Sequence, residues 1–233
     1  MVDTIQNKKE IAMIKYFKIL IWPLALIPPV YLAFIWQSLP EKVAMHFDLK
    51  GNPDRYGNKA ELWIMVGILS LMSIGLYFLL SNIYKIDPKK YAAENKDRLQ
   101  RMGFAISVFM TALSCFIVYS TSKEDFGLGI RYVFAGVGLL LCLIGNYMHT
   151  IKPNYFAGIR LPWTLNNEDN WRKTHLLAGK LWFLGGLVIA ILCLLLPDTA
   201  AIVLFFILTV VLILVPVIYS YRLFKKNKEA ESL

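Results

Sequence analysis

The sequence contains six long stretches whose interiors lack Asp, Glu, Lys and Arg. They cover roughly residues 16–37, 62–84, 103–122, 129–149, 178–197 and 199–221. A helix needs about 20 mostly apolar residues to cross a bilayer, and each stretch is of that order. Helices of soluble proteins keep a polar face, whereas a charge in mid-membrane is costly. The predicted fold class is therefore all-α, a six-helix transmembrane bundle.

Cysteine and histidine are also scarce, with three residues of each type. Cys115, Cys142 and Cys193 all fall inside the predicted spans, which is typical of small apolar fillers. The sequence has no HExxH, GxSxG or P-loop motif, so we expect no enzymatic activity, no metal and no cofactor. The uncharged span interiors also argue against proton-coupled transport, which needs ionisable residues in mid-membrane.

Basic residues are concentrated in alternate connections of the predicted bundle. Of the 25 Lys and Arg residues, 19 lie before the first span, after the second, after the fourth or in the C-terminal tail. The positive-inside rule predicts that these segments, and hence both termini, are cytoplasmic. The same asymmetry, together with attraction to anionic lipid, explains the net charge of +9. We expect no direct binding to nucleic acid, because no recognised module is present.

Two connections are longer than a helical hairpin needs. We predict a single membrane domain over residues 1–233. Its N-terminal part, 1–84, carries an outer loop at 38–61, and its remainder, 85–233, carries an inner loop at 150–178. Binding residues concentrate on loops held by a rigid scaffold, so the 38–61 loop and the 150–178 segment are the candidate sites.

The 38–61 loop contains the turn signal Gly-Asn-Pro-Asp at 51–54. This turn is expected to fold His46 back toward Asp54. Two interpretations stay open: a hairpin that recognises a ligand or weakly binds a metal, and a charge-neutralised turn that ties the first two spans together. Because the spacing matches no zinc template, no metal site is predicted here.

The second half of the 150–178 segment has a helical pattern. Residues 167–180 predict a helix that leads into the fifth span, with Asn166 as its N-cap. Trp171 and His175 lie one turn apart and therefore share a face of this helix. One interpretation places this aromatic stripe against lipid at the membrane interface. The other places it in a polar pocket at the inner membrane face.

That pocket would be lined by Asn154, Arg160, Trp171 and His175. Arg160 lies in an apolar, aromatic stretch, where an unpaired charge is costly. Its guanidinium can bond a carboxylate, a phosphate or several helix-end carbonyls. Glu168 and Asp169 are the nearest acidic candidates in the sequence, so we expect Arg160 to have a partner there or among span-end carbonyls.

Both loops resemble known families. The stretch LPEKVAMHFDLKGNPDRYGNK resembles the N-terminal signature of a family of uncharacterised bacterial membrane proteins. The stretch NYFAGIRLPWTLNNEDNWRKTH is similar to the signature of the SdpI family of toxin-immunity membrane proteins. The resemblance implies a multi-pass protein of the bacterial cytoplasmic membrane that protects a cell from an exported peptide toxin. It also implies signalling, in which toxin engagement lets the protein hold a small transcriptional repressor at the membrane.

The resemblance also implies a set of residues that bind a ligand or partner. From the SdpI signature these are Asn154, Gly158, Arg160, Pro162, Trp163, Trp171, Thr174 and His175. From the other signature they are His46, Gly51, Pro53 and Lys59, and the turn adds Asp54. The expected partners are membrane lipids, a secreted peptide toxin and a small cytoplasmic repressor. The alternatives are a small-molecule or lipid transporter or binding protein, and an intramembrane lipid enzyme that uses His175 or His46 as a base.

Overall fold

The computed structural model of the chain describes residues 2–48, 52–123 and 129–231. The described residues form seven α-helices and two β-strands. In chain order these are α1 (Val2–Ile35), β1 (Lys42–Phe47), β2 (Pro53–Asn58), α2 (Glu61–Asn82), α3 (Ala92–Lys123), α4 (Gly129–Met148), α5 (Pro162–Leu165), α6 (Glu168–Leu195) and α7 (Asp198–Glu231).

All six predicted spans are confirmed as helices long and apolar enough to cross a membrane. They cover Lys15–Ser38, Glu61–Lys85, Ala92–Lys123, Arg131–Met148, Glu168–Leu195 and Asp198–Ala230. Only 22% to 33% of each apolar window is buried within the protein, which suits helices whose outer surface faces lipid. The helix α3 begins at Ala92 rather than near residue 103, because its first turns are polar and a hydropathy pattern does not detect them.

The described residues group into two compact units. The first comprises Met1–Ser81 with Leu99–Ile130, and the second comprises Asn82–Arg98 with Arg131–Leu233. The 38–61 loop therefore belongs to the first unit and the 150–178 segment to the second. The single membrane domain over residues 1–233 stays a prediction, as does the cytoplasmic position of both termini.

Small polar side chains join the helices of the first unit. The Thr111 hydroxyl donates to the Leu24 carbonyl at 3.2 Å, and the Ser107 hydroxyl donates to the Ser73 carbonyl at 3.1 Å. Near the same face of α3, the amide of Gln100 donates to the Tyr77 hydroxyl at 2.7 Å. Such bonds are a means of helix association in lipid, where burial of apolar surface provides little drive.

The 38–61 loop forms an antiparallel β-hairpin, although no strands were predicted there. Lys42 pairs with Asn58 and His46 pairs with Arg55, and the register shifts on both sides of His46. Val43 and Ala44 are both fully buried although they are adjacent. The alternation typical of a strand is therefore broken in these six residues, which explains why it was missed.

Close backbone contacts join α4 and α6 in the second unit. A Cβ added at Gly138 would lie 2.7 Å from the backbone nitrogen of Ala190, and one added at Gly179 would lie 2.9 Å from the Gly145 carbonyl oxygen. Small residues at these positions let the two helices approach each other directly. The helices α6 and α7 are joined by the short Leu196–Pro197 connection and also pack together, with the Trp182 indole donating to the Leu212 carbonyl at 2.9 Å.

Candidate functional site

The 150–178 segment is organised around the buried side chain of Asn154. Its carboxamide oxygen accepts from the backbone N–H groups of Phe156 and Ala157, at 2.9 and 2.7 Å. Its amide nitrogen donates to the carbonyls of Lys152 and Ala157, at 2.9 and 3.0 Å. One side chain thus satisfies backbone groups on both sides of the turn, so Asn154 acts as a scaffold and is fully buried.

A second buried asparagine, Asn95 at the start of α3, fixes the beginning of the segment. Its amide donates to the Lys152 carbonyl at 3.0 Å, and its oxygen accepts from the Lys152 N–H at 2.8 Å. This pair of bonds reproduces what a neighbouring strand would offer the backbone. No local pattern points to this role of Asn95, because 57 residues separate the two partners.

The imidazole of His175 is buried and bonded through both nitrogens. Its Nε2 accepts from the Ile159 N–H at 3.0 Å, while Nδ1 lies 2.8 Å from the Trp171 carbonyl and donates to it. These roles assign the neutral ring with its proton on Nδ1. Gly158 adopts φ +105° directly against this ring, a conformation that favours glycine. Neither nitrogen of His175 is free to act as a general base.

The aromatic stripe on α6 faces protein, so the interpretation that places it against lipid is wrong. Trp171 and His175 are each only 1% exposed, and their rings stack with centroids 3.9 Å apart. The indole of Trp171 donates to the Ile151 carbonyl at 2.8 Å. The stripe is buried because the aromatic first half of the segment folds back over it.

The helix α5 joins the segment to α7. The Thr164 hydroxyl donates to the Ile159 carbonyl at 2.7 Å and accepts from the Leu161 N–H at 2.9 Å. Pro162 occupies the first turn of α5, where its missing N–H costs nothing. The Trp163 indole donates to the Ser220 hydroxyl at 3.0 Å.

Thr174 also belongs to this framework. Its hydroxyl donates to the carboxamide oxygen of Asn170 at 3.0 Å, and the Asn170 amide donates to the Ser220 carbonyl at 3.0 Å. The predicted N-cap, Asn166, is wrong by one residue: Asn167 caps α6 by accepting from the Asn170 N–H, and Asn166 ends α5.

Arg160 is exposed, and its expected acidic partner is wrong. Its guanidinium donates to the Tyr155 carbonyl at 2.7 Å, within its own loop. Glu168 instead pairs with Lys90 at 2.7 Å, and the hydrogen bonds that the Lys90 ammonium donates to Glu168 and Tyr91 raise the pKa of Lys90. Asp169 pairs with Arg172 and Lys173 on its own helix. In the described part of the chain, Arg160 forms no ion pair.

A polar cavity does exist beside the segment, but its lining differs from the predicted pocket. It has a volume of about 450 Å³ and includes Trp171, whereas Asn154, Arg160 and His175 do not line it. Its charged lining comes instead from Arg98, Lys152, Glu168, Asp169 and Arg172. The predicted four-residue pocket is wrong because Asn154, Arg160 and His175 form hydrogen bonds within the loop itself and do not line the cavity.

In the 38–61 loop, the predicted return of the chain is confirmed. His46 Nδ1 lies 2.6 Å from Asp54 Oδ1, and both side chains are exposed. Pro53 begins β2, and Gly51 lies outside the described residues. Among the residues that the structure describes, no group of three His, Cys, Asp or Glu side chains is placed to hold a metal ion.

Lys59 closes the base of the hairpin. Its ammonium lies 2.9 Å from a Glu41 carboxylate oxygen and 5.0 Å from the centre of the Trp36 ring. It also donates to the Leu39 carbonyl at 3.4 Å. With a side chain only 14% exposed, Lys59 ties the hairpin to the end of α1.

Comparison with known proteins confirms the resemblance in both loops. Residues 150–220 match the model of the SdpI/YfhL protein family, and residues 23–69 match a domain of unknown function, DUF1648. The chain is 26% identical to Immunity protein SdpI of Bacillus subtilis (strain 168) over 195 residues, which are 82% of this chain and 88% of that protein. No solved structure gives a significant match.

Proposed function

We propose that this chain, a membrane protein that carries the SdpI/YfhL family region, is an immunity protein that protects a cell from an exported peptide toxin. The observation that carries the proposal is the similarity to Immunity protein SdpI over 82% of this chain and 88% of that protein. A match of this extent includes residues of both compact units. The proposal therefore applies to the whole membrane protein rather than to one loop.

In this proposal the protein lies in the bacterial cytoplasmic membrane with both termini inside the cell. The basic residues in alternate connections support that orientation. The 38–61 loop would then face the outside and the 150–178 segment the cytoplasm. A toxin would meet the protein from outside or within the membrane, and a small cytoplasmic repressor would meet the inner segment.

The orientation can be tested with single cysteines at two exposed positions. Asn52→Cys should react with a membrane-impermeant thiol reagent on intact cells, whereas Asn166→Cys should react only after the cells are opened. The parent for both variants should carry Cys115, Cys142 and Cys193 changed to Ser, so that no native thiol contributes. If Asn166→Cys reacts on intact cells and Asn52→Cys reacts only after the cells are opened, the assignment of both loops is reversed.

Arg160 is the residue we expect to contact a partner in the 150–178 segment. Asn154, His175, Thr164 and Trp171 are buried and hold the loop together, whereas Arg160 is exposed and, among the described residues, forms no ion pair. A guanidinium on a rigid loop can form a fork of bonds to a carboxylate or phosphate at a small entropic cost.

The function is tested by expressing the protein in a toxin-sensitive bacterium and measuring survival under the cognate toxin. Arg160→Lys should reduce survival without lowering the amount of membrane-inserted protein. Arg172→Lys is the matched control, because Arg172 is an exposed arginine of the same segment that pairs with Asp169. Undiminished protection by the Arg160 variant would remove Arg160 from the proposal, and no protection by the wild-type protein would contradict the immunity function.

The proposal includes signalling through a repressor. With toxin present, a small repressor expressed together with this chain should move from the soluble to the membrane fraction. A repressor that stays soluble under conditions in which the cell is protected would separate immunity from signalling.

A further inference from the structure

Two neighbouring hollows in the second unit share one residue. The polar cavity described above is placed where α4 ends and α6 begins, and it is lined on one side by His149. An apolar groove of about 440 Å³ runs along α4 and α6 from the same His149. Because α4 and α6 are both membrane spans, the cavity lies at a span end and the groove lies along the spans.

The polar cavity has an excess of positive charge. Its two carboxylates, Glu168 and Asp169, are already paired with Lys90 and with Arg172 and Lys173. Two further cations line the cavity, Arg98 and Lys152. In the described residues neither forms an ion pair: Arg98 donates to the Glu94 carbonyl, and the Lys152 ammonium lies 5.7 Å from the Tyr91 ring centre.

The groove offers an elongated apolar surface that suits a lipid acyl chain. Leu176 and Leu184 are 43% and 61% exposed along its length on α6, and Gly145 and Gly179 form its floor. At 1.5 Å per residue, positions 176 to 184 span about 12 Å of helix. The groove contains one basic residue, Lys180, whose stem can extend along the helix toward a headgroup.

We propose that the polar cavity and the groove together bind one anionic phospholipid, with its phosphate between Arg98 and Lys152 and an acyl chain along α4 and α6. The charge excess selects an anionic ligand, and the lateral apolar groove selects one with a hydrocarbon tail. Basic pockets between membrane helices are known to bind anionic headgroups on this principle. The site is independent of the proposed immunity function.

The proposal is tested by native mass spectrometry of the purified full chain. The protein is given equal amounts of phosphatidylglycerol and phosphatidylcholine with identical acyl chains. Wild-type protein should retain one phosphatidylglycerol in preference to phosphatidylcholine. The double variant R98Q/K152Q should retain it about thirtyfold less, since each basic residue near a lipid phosphate contributes about fivefold and the two factors multiply.

The matched control is R222Q/K226Q, which removes the same charge from exposed positions of α7 that line neither hollow. This control should retain phosphatidylglycerol as the wild type does. Equal losses in both double variants would overturn the site, because the attraction would then be diffuse. Equal retention of the two lipids by the wild type would overturn it as well.

A third variant, L176W, tests the acyl chain by filling the groove without changing charge. It should reduce retention of phosphatidylglycerol while its thermal unfolding stays at the wild-type temperature. Unchanged retention in L176W would overturn the acyl-chain position and with it the phospholipid. Displacement of the lipid by millimolar inorganic phosphate would assign a free-anion site instead, and a dimer seen in place of the lipid would assign the groove to a second copy of the chain.

Discussion

The two long loops are held by different means. The 38–61 loop is a two-stranded ladder, so backbone atoms supply most of its bonds, and His46, Asp54 and Arg55 project into solvent. Within the described ranges the 150–178 segment pairs with no strand, and buried side chains such as Asn154 and His175 bond its backbone instead. A backbone ladder tolerates many side chains, whereas the second arrangement requires particular ones. The signature of the 150–178 segment is therefore largely the signature of its fold.

The largest effect should follow from Gly158→Ala. A Cβ there would collide with His175 Nε2 and lie 3.3 Å from the Trp171 ring, and φ is +105°. Strain and overpacking together should cost roughly 2–6 kcal/mol. Thermal unfolding in detergent and the amount of membrane-inserted protein measure the loss. Gly75→Ala is the control, because nothing lies within 4 Å of the added carbon. Wild-type stability of the Gly158 variant would contradict the described contact with His175.

Asn154→Ala should have the next largest effect. It removes four hydrogen bonds inside a buried turn, and at about 0.5–1 kcal/mol for each bond the loss should be roughly 2–4 kcal/mol. The comparison in the hairpin is Asn52→Ala, because the exposed side chain of Asn52 donates to Asp48 at a distance of 3.3 Å. That change should stay within about 0.5 kcal/mol. Equal losses in the two loops, measured by thermal unfolding, would remove the distinction between them.

Lys59→Met should have an intermediate effect, because the charged side chain of Lys59 at the base of the hairpin is only 14% exposed. The variant keeps the apolar stem but loses the Glu41 pair and the contact with Trp36, so about 1 kcal/mol should be lost. Lys42→Met is the control, since Lys42 is exposed in the same loop. If the two variants unfold at the same temperature, Lys59 does not tie the hairpin to α1.

The smallest effect is expected for the pair of His46 and Asp54. Their side chains are 66% and 46% exposed, so solvent screens the interaction and the coupling should be about 0–1 kcal/mol. A double-mutant cycle with His46→Ala and Asp54→Ala measures that coupling. A coupling well above this range would show that the hairpin also depends on particular side chains.

Hydropathy and charge were sufficient to predict the spans, because lipid imposes the same requirement on every residue of a span. The return of the chain from β1 to β2 was likewise predictable, since its turn signal consists of adjacent residues. The helix at Glu168 was predicted with its cap misplaced by one residue, because Asn166 and Asn167 are both suitable caps.

The missed features of the 150–178 segment depend on distant partners. Asn95 bonds Lys152, and Ser220 bonds Trp163 and Asn170, across at least 50 residues of chain in every case. Arg160 was expected to bond the nearest carboxylates in the sequence or span-end carbonyls, yet it bonds the Tyr155 carbonyl and Lys90 from a distant segment pairs with Glu168. Local patterns identify which side chains are unusual, but they do not identify the partner that each one finds.

The glycine contacts between α4 and α6 have a mechanical consequence. Gly138 and Gly145 lie about two helical turns apart, as do Gly179 and Gly186, so backbone meets backbone twice along the pair. Helices separated by a layer of side chains can slide when rotamers change, but backbones in direct contact have nothing to rearrange. We therefore expect α4 and α6 to move together as one rigid body. A displacement of the start of α6 at Glu168 would then also displace the end of α4 at Met148.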